Sequence, residues 1–231
     1  MKRFYKEAAV AAGEDGYRVL LDGRPVRTPG GNLLSLPSAA LATSIAEEWR
    51  VQGDEVVPAS MPMLRLANTT IDGIGKTREA VIDAILRFGE HDLICYRAEQ
   101  PPELAKLQDE AWTPLLAWAA QSHGSKLTVG AGVTHLAQPV EALAGLRRAV
   151  AEMDDYALAA LHVMASITGS LVLGLALAEG RIDSGQAFKL SRIDEDYQAG
   201  KWGSDAEAEV RAKGLARELG TAAAFLAASG D

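Results

Sequence analysis

The segment from Tyr156 to Ala178, YALAALHVMASITGSLVLGLALA, contains no Asp, Glu, Lys or Arg, and it restricts the possible folds of this chain more than any other segment. An apolar stretch of this length either crosses a bilayer or forms helices that are buried on every side. Two acids, Asp154 and Asp155, precede it and no basic cluster flanks it, which argues against a membrane-spanning helix. Because ITGS can bend or split the segment, we predict a central buried helix or helix pair and no membrane insertion.

The rest of the composition is typical of an acidic globular protein. The chain has 231 residues, of which 48% are hydrophobic and 23% charged, enough for one large domain or two small ones. Its formal net charge of −8 argues against nonspecific nucleic-acid binding, which needs surplus Lys and Arg. The single cysteine, Cys95, lies in the apolar run LICYR, which favours a buried and inert thiol.

The first forty residues or so have the signals of β structure, and the remainder has those of helices. Turn signals at Asp22-Gly23 and at PGGN separate short, partly alternating runs, which predict a small antiparallel meander. From Pro37 onward, apolar residues recur at helical spacing, as in the stripe that contains Trp49. We therefore predict an α+β fold, with a β-rich N-terminal domain that includes one helix (residues 1–58) and a larger all-helical C-terminal domain (residues 59–231).

Two short motifs leave open a small-molecule or nucleotide-binding enzyme as the alternative function. Gly73–Thr77 is the last part of the sequence TIDGIGKT, residues 70–77. This sequence resembles the phosphate-binding loop G-x-x-x-x-G-K-[ST], except that Thr70 stands where the loop has its first glycine. The residues before it have helical spacing, whereas such a loop follows a strand. His91 and Asp92 lie near Cys95, but the other histidines lack metal-ligand spacing. We expect no metal, no cofactor and no catalysis.

The stretch DEDYQAGKWGSDAEAE, residues 194–209, combines six carboxylates with a single lysine and a tryptophan. Successive helical residues point about 100° apart, so Asp194, Glu195 and Asp196 spread around a helix instead of converging as a catalytic pair. Asp194 has no obvious local partner. One helix through SGQAFKLSRIDEDYQ is predicted by an apolar stripe of Ala187, Leu190, Ile193 and Tyr197.

A break is predicted around Trp202, because glycines stand at positions 200 and 203. The following SDAE fits a capping box, with Ser204 as N-cap and Glu207 reaching back. Asp205 would favour the helix dipole in the first turn. Trp202 is then either a core residue that fills the helix corner or an apolar anchor inside a charged rim, which is how binding hot spots look.

Five segments occur along the chain in the order LDGRPVRTP, AEEW, MPMLRLANTTID, LICYR and SRIDEDYQAGKWG. Together they resemble the family of F1-ATPase assembly chaperones that act on the alpha subunit of ATP synthase. The resemblance spans most of the chain and implies a β-rich domain followed by a helical one. It also implies a protein that binds the unassembled F1 alpha subunit and later yields it to beta, without being an enzyme or an ATP-driven folding machine.

The same resemblance gives expectations about partner, location and contact residues. The N-terminus MKRFYKEAAV lacks the features of a signal or transit peptide, so we expect a bacterial, cytoplasmic member, the eukaryotic relatives being in the mitochondrial matrix. We expect a monomer whose protein partner is the F1 alpha subunit. An acidic rim around an aromatic anchor suits such a partner, and the residues expected to contact it are Trp202, Asp205, Glu207, Asp194, Glu195 and Trp49.

Overall fold

A computed structural model describes residues 1–203 and 205–230. The strands are β1 (Ala8–Gly13), β2 (Gly16–Leu21), β3 (Arg24–Pro25), β4 (Ser35–Leu36), β5 (Tyr96–Arg97) and β6 (Gly130–Ala131). The α-helices are α1 (Ala39–Arg50), α2 (Pro62–Thr69), α3 (Gly75–Glu90), α4 (Pro102–His123), α5 (Val140–Ala151), α6 (Asp155–Thr168), α7 (Leu171–Ala178), α8 (Ser184–Ser191), α9 (Ile193–Trp202) and α10 (Ala206–Ser229). The predicted α+β class, a small antiparallel N-terminal sheet followed by a larger helical region, is confirmed.

Contacts among Cα atoms divide the chain into two compact units, and neither unit is continuous in sequence. The first unit contains residues 1–78 and 155–160 together with the chain from Thr221 onward. The second unit contains residues 79–154 and 161–220. The sequence predicts a boundary at residue 58 between two domains that fold separately. A division into compact units does not show which parts of the chain fold separately, so this boundary stays a prediction.

The sheet of the first unit is built on β2, which pairs antiparallel with β1, β3 and β4. Asp22 and Gly23 join β2 to β3 with φ angles of 48° and 79°, so the predicted tight turn is confirmed. Val19 and Leu21 alternate along β2 and are both buried, as a strand with one face on a core requires. Helix α1 begins after Ser38, whose side chain accepts a hydrogen bond from the backbone N–H of Leu41.

A single carboxylate fixes the loop that follows β3. Asp72 Oδ1 accepts hydrogen bonds from the Thr28 hydroxyl at 2.6 Å and the Asn32 amide at 2.8 Å, and Oδ2 accepts one from the Gly30 N–H at 2.8 Å. These bonds, chiefly the one from Thr28, lower the pKa of Asp72. A Cβ added at Gly30 would lie 2.6 Å from Asp72 Oδ1, so glycine is required for this close approach.

Replacing Asp72 with alanine should release this loop, because three donors lose their acceptor at once. We expect the amide hydrogen of Gly30 to exchange about tenfold faster or more, since a charge-assisted hydrogen bond protects it. Native-state hydrogen exchange measures the change, and Asp72→Asn, which retains one acceptor oxygen, should give an intermediate rate. Unchanged exchange at Gly30 in the alanine variant would contradict this role of Asp72.

The uncharged segment of the sequence forms α6 and α7, which are separated at Gly169, where φ is 64°. The expected helix pair is therefore confirmed. Helix α7 is buried on every side, from Leu171 through Leu177. Among the described residues, no helix combines the length and the hydropathy that a membrane crossing needs.

The single helix predicted through SGQAFKLSRIDEDYQ is wrong. The chain forms two helices there, α8 and α9, with Arg192 between them at φ −118° and ψ 16°. Asp183 begins α8 with a capping box in which Gln186 takes part. Arg192 lies 3.5 Å from Asp196, an ion pair across one turn of α9.

Candidate partner-binding site

Trp202 is the last residue of α9, and its side chain is 78% exposed. Gly203 ends the helix with φ 88° and ψ 157°, a conformation that a residue with a Cβ rarely adopts. The alternative in which Trp202 fills a helix corner is therefore wrong. An exposed indole at this position is available for contact with a partner, where a large aromatic side chain contributes more than most residues.

Asp194 has a partner that its own helix does not supply. Its Oδ1 accepts a hydrogen bond of 2.6 Å from the side-chain amide of Gln108, a buried residue of α4. The Gln108 oxygen in turn accepts one of 2.6 Å from the N–H of Ala98. Burial raises the pKa of Asp194, and the Gln108 hydrogen bond opposes that rise. The carboxylate is thereby held in one orientation, half-buried beside α4.

The other carboxylates of this region are exposed to solvent. Glu195 is exposed, and among the described residues its side chain forms no hydrogen bond or ion pair. Asp205 immediately precedes α10 and accepts a hydrogen bond of 3.3 Å from the N–H of Glu207. The Glu207 carboxylate lies 3.7 Å from Arg211, one turn along the helix. Ser204 is outside the described residues, so the predicted capping box with Ser204 as N-cap stays a prediction.

Trp49 has a different environment from Trp202, because only 8% of it is exposed. It lies edge-on to Tyr5 and Phe4, with ring centroids 5.3 Å and 6.4 Å away. The Tyr5 hydroxyl donates a hydrogen bond of 2.6 Å to the Trp49 carbonyl oxygen. Trp49 nevertheless forms part of the wall of an open pocket of about 550 Å³ in the first unit.

Gly73–Thr77 does not have the geometry of a phosphate-binding loop. Gly73 lies in a π-helical turn, Thr70–Ile74, and the next residues begin α3. The element before this turn is α2, whereas a phosphate loop follows a strand. No sharp loop of free N–H groups forms there to surround a phosphate.

Asp92 and Cys95 are both buried, which is typical of residues with a structural role. Asp92 accepts hydrogen bonds from the N–H of Ile94 at 3.2 Å and from that of Val172 at 3.0 Å. Burial raises the pKa of Asp92 to about 6 and that of the Cys95 thiol to about 12. The expected inert cysteine follows, because a thiol with so high a pKa supplies almost no thiolate. Within the described residues, no group of three or more His, Cys, Asp or Glu side chains could hold a metal ion.

Comparison with known proteins places the chain in a family. Residues 2–120, just over half of the chain, match the family model described as ATP12 chaperone protein. The chain belongs to the ATP12 chaperone family. This family consists of F1-ATPase assembly chaperones, so the resemblance seen in the sequence is confirmed.

Relatives of the ATP12 family resemble the chain over nearly its whole length. The crystal structure of Atp12 from Paracoccus denitrificans is 40% identical, with a TM-score of 0.95 over 99% of this chain and 98% of that one. A crystal structure from Agrobacterium tumefaciens is 43% identical, with a TM-score of 0.94 over 100% of this chain and 86% of that one. The mitochondrial protein atp12 of Schizosaccharomyces pombe is 26% identical over 96% of this chain and 81% of its own length.

Sequence reasoning missed two residues that shape the sites of this ATP12 family member. Gln108 interrupts the apolar stripe of α4, between Leu104 and Trp112, and a polar residue in such a position signals a buried hydrogen bond. Phe4 is 62% exposed and forms part of the Trp49 pocket, but no periodic pattern surrounds it. The structure gives the exposure of Trp202 and of the candidate carboxylates near it in sequence, while their role in binding stays a prediction.

Proposed function

We propose that this ATP12 family member binds the unassembled alpha subunit of the F1 ATPase and covers its beta-facing interface until beta replaces the chaperone. The observation that carries the proposal is the exposure of Trp202 at the end of an acidic helix. An unassembled subunit exposes an apolar interface that promotes aggregation. An exposed indole can contact such a surface, and the exposed carboxylates of α9 and of the start of α10 can orient the encounter.

The proposed chemistry is reversible binding without a catalytic step. Affinity must be moderate, because a larger alpha–beta interface has to displace the chaperone by mass action. We further propose a monomer that acts in the bacterial cytoplasm. Light scattering during size-exclusion chromatography would test the monomer, since a dimer would have twice the chain mass of 24.4 kDa.

Co-expression with the F1 alpha subunit tests the proposal directly. We expect alpha to become soluble and to co-purify with this chain, whereas the beta subunit expressed in the same way should not. Beta captured in place of alpha, or neither subunit captured, would overturn the proposed function.

Charge reversal at Glu195 should weaken capture of alpha without unfolding the chaperone. Glu195 is exposed and forms no ion pair among the described residues, so Glu195→Lys changes the charge with little cost to the stability of the fold. We expect an association rate about tenfold lower at low salt, with a smaller difference at high salt. Binding kinetics measure this effect, and Glu14→Lys, which changes net charge equally in the turn after β1, is the matched control. If both variants lose the same fraction of the association rate, the loss arises from net charge, which contradicts a specific role for Glu195.

The charge of Asp205 can be separated from its hydrogen bond with the Glu207 N–H in the same way. Asp205→Asn keeps an acceptor for the Glu207 N–H but removes the charge, since Asn and Asp are comparable N-caps. Asp205→Ala removes both. If only the alanine variant binds alpha poorly, Asp205 acts through the helix end rather than through its charge.

A further inference from the structure

The open pocket beside Trp49 lies entirely within the first compact unit. Its volume of about 550 Å³ falls in the range of roughly 300–1,000 Å³ that ligand pockets occupy. Tyr5 and Trp49 are buried aromatic side chains at this pocket, and Phe4 presents a ring that is 62% exposed. The three rings pack edge-to-face on one another, which gives a firm apolar wall.

The rim of the pocket is cationic. Arg24 and Arg27 both line the pocket and are exposed, and within the described part of the chain neither has a carboxylate within 4.0 Å. Arg27 donates one hydrogen bond of 2.7 Å to the Gly31 carbonyl oxygen, and its remaining N–H groups stay available. The lining of the pocket therefore has two arginines and one aspartate, Asp22, in a chain whose net charge is −8.

Among the residues that the structure describes, one carboxylate lines the pocket, that of Asp22, and it already accepts hydrogen bonds. Asp22 Oδ1 accepts hydrogen bonds from the N–H groups of Lys6 at 3.0 Å and Glu7 at 2.9 Å, and Oδ2 lies 3.2 Å from the Lys6 nitrogen. These backbone bonds, the one from Glu7 first, lower the pKa of Asp22. The side of the pocket that can take a new charged partner is therefore the arginine side.

We propose that this pocket is a second docking site, and that its occupant is a segment of the alpha subunit with an apolar side chain next to a carboxylate. The apolar side chain would lie against Phe4 and Trp49, and the carboxylate would pair with Arg24 or Arg27, whose guanidinium groups suit bidentate contact. The inference rests on the proposed function for the identity of the partner. It adds a contact of opposite charge to those proposed for Trp202 and the carboxylates of residues 194–209.

Photo-crosslinking from two aromatic positions tests the pocket. One variant has p-benzoylphenylalanine in place of Phe4, and a second variant has it in place of Trp202. Each full-length variant is co-expressed with the F1 alpha subunit and irradiated. We expect both positions to crosslink to alpha. Mass spectrometry should place the Phe4-position crosslink in a segment where an Asp or Glu is a near neighbour of an aliphatic or aromatic residue.

The outcomes separate the pocket from the proposed function. A crosslink from position 202 alone would overturn the pocket and leave the proposed function intact, and crosslinks from neither position would overturn both. A crosslink from position 4 to a basic segment, or one that ATP displaces, would overturn the acidic-segment occupant. A crosslink from position 4 alone would support the pocket and contradict the proposed contact between Trp202 and the alpha subunit.

A charge-matched pair of variants tests the arginine contact. Arg24→Glu should lower the crosslinking yield from position 4 about tenfold and leave the yield from position 202 nearly unchanged. Lys126→Glu is the control, because Lys126 is also exposed and has no ion pair among the residues that the structure describes. Equal losses with both variants would contradict a specific contact at Arg24.

Discussion

Replacing Asp92 with alanine is expected to lower the free energy of unfolding by about 3 kcal/mol at neutral pH. The carboxylate accepts backbone hydrogen bonds at the starts of two elements, the Leu93–Cys95 turn and helix α7. Without it, buried N–H groups lose their acceptor and have no access to water, which costs more than the net gain from an ordinary hydrogen bond. Urea unfolding followed by circular dichroism measures the change.

The pH dependence of this effect has a defined sign. The folded-state pKa of Asp92, about 6, is above its ordinary value of 3.8, so the folded protein binds the proton more tightly than the unfolded chain does. The contribution of this group to stability therefore increases as pH falls from about 6 toward 4. The difference in unfolding free energy between wild type and Asp92→Ala should be about 2 kcal/mol larger at pH 4 than at pH 7.

A matched variant distinguishes titration from packing. Asp92→Asn keeps the shape and one acceptor oxygen but cannot titrate. Its difference in unfolding free energy from wild type should therefore change with pH as that of Asp92→Ala does. At neutral pH the loss of unfolding free energy should be smaller for Asp92→Asn than for Asp92→Ala. A loss that is independent of pH in both variants would mean that the carboxylate does not titrate in this range. A loss below about 1 kcal/mol in both would contradict its role as a helix cap.

Replacing Trp202 with alanine is expected to weaken binding of the F1 alpha subunit about thirtyfold or more, as loss of a hot-spot tryptophan does. Because the side chain is 78% exposed, its removal should leave the urea midpoint of the free chaperone nearly unchanged. Titration calorimetry or co-purification with alpha measures the loss. Trp202→Phe should retain part of the affinity, since it keeps an aromatic ring.

Val133→Ala is the control for exposed apolar area, because Val133 is 100% exposed and lies outside the acidic helix. It should leave binding of alpha within a factor of about two. If both substitutions weaken binding equally, the affinity arises from nonspecific apolar contact. If Trp202→Ala changes nothing, the aromatic anchor has to be sought elsewhere on the chain.

The features that the sequence predicted well are those with strong local causes. The Asp22-Gly23 turn and the break at Gly169 depend on residues that tolerate positive φ, and the structure has both. The break at Arg192 was missed because no glycine or proline marks it and the apolar stripe continues across it. Local periodicity alone therefore overestimated the length of that helix.

The candidate sites were less predictable, since they depend on residues far apart in sequence. Gln108 and Asp194 are 86 residues apart, and nothing near Asp194 in the sequence indicates its partner. The pocket combines Phe4, Arg24 and Trp49, whose proximity exists only in the folded unit. For Trp202 the sequence left two alternatives, because a tryptophan between two glycines fits a core corner and an exposed helix end equally well.

Helix α7 has a consequence for the biosynthesis of this chaperone. Its apolar surface would aggregate if it remained exposed, which is the hazard from which the chaperone is proposed to protect its own partner. Asp92 precedes Val172 by 80 residues, so its carboxylate has left the ribosome before α7, whose first turn donates a hydrogen bond to it, is synthesised. The acceptor for the first turn of α7 is thus already present in the nascent chain when that helix is made.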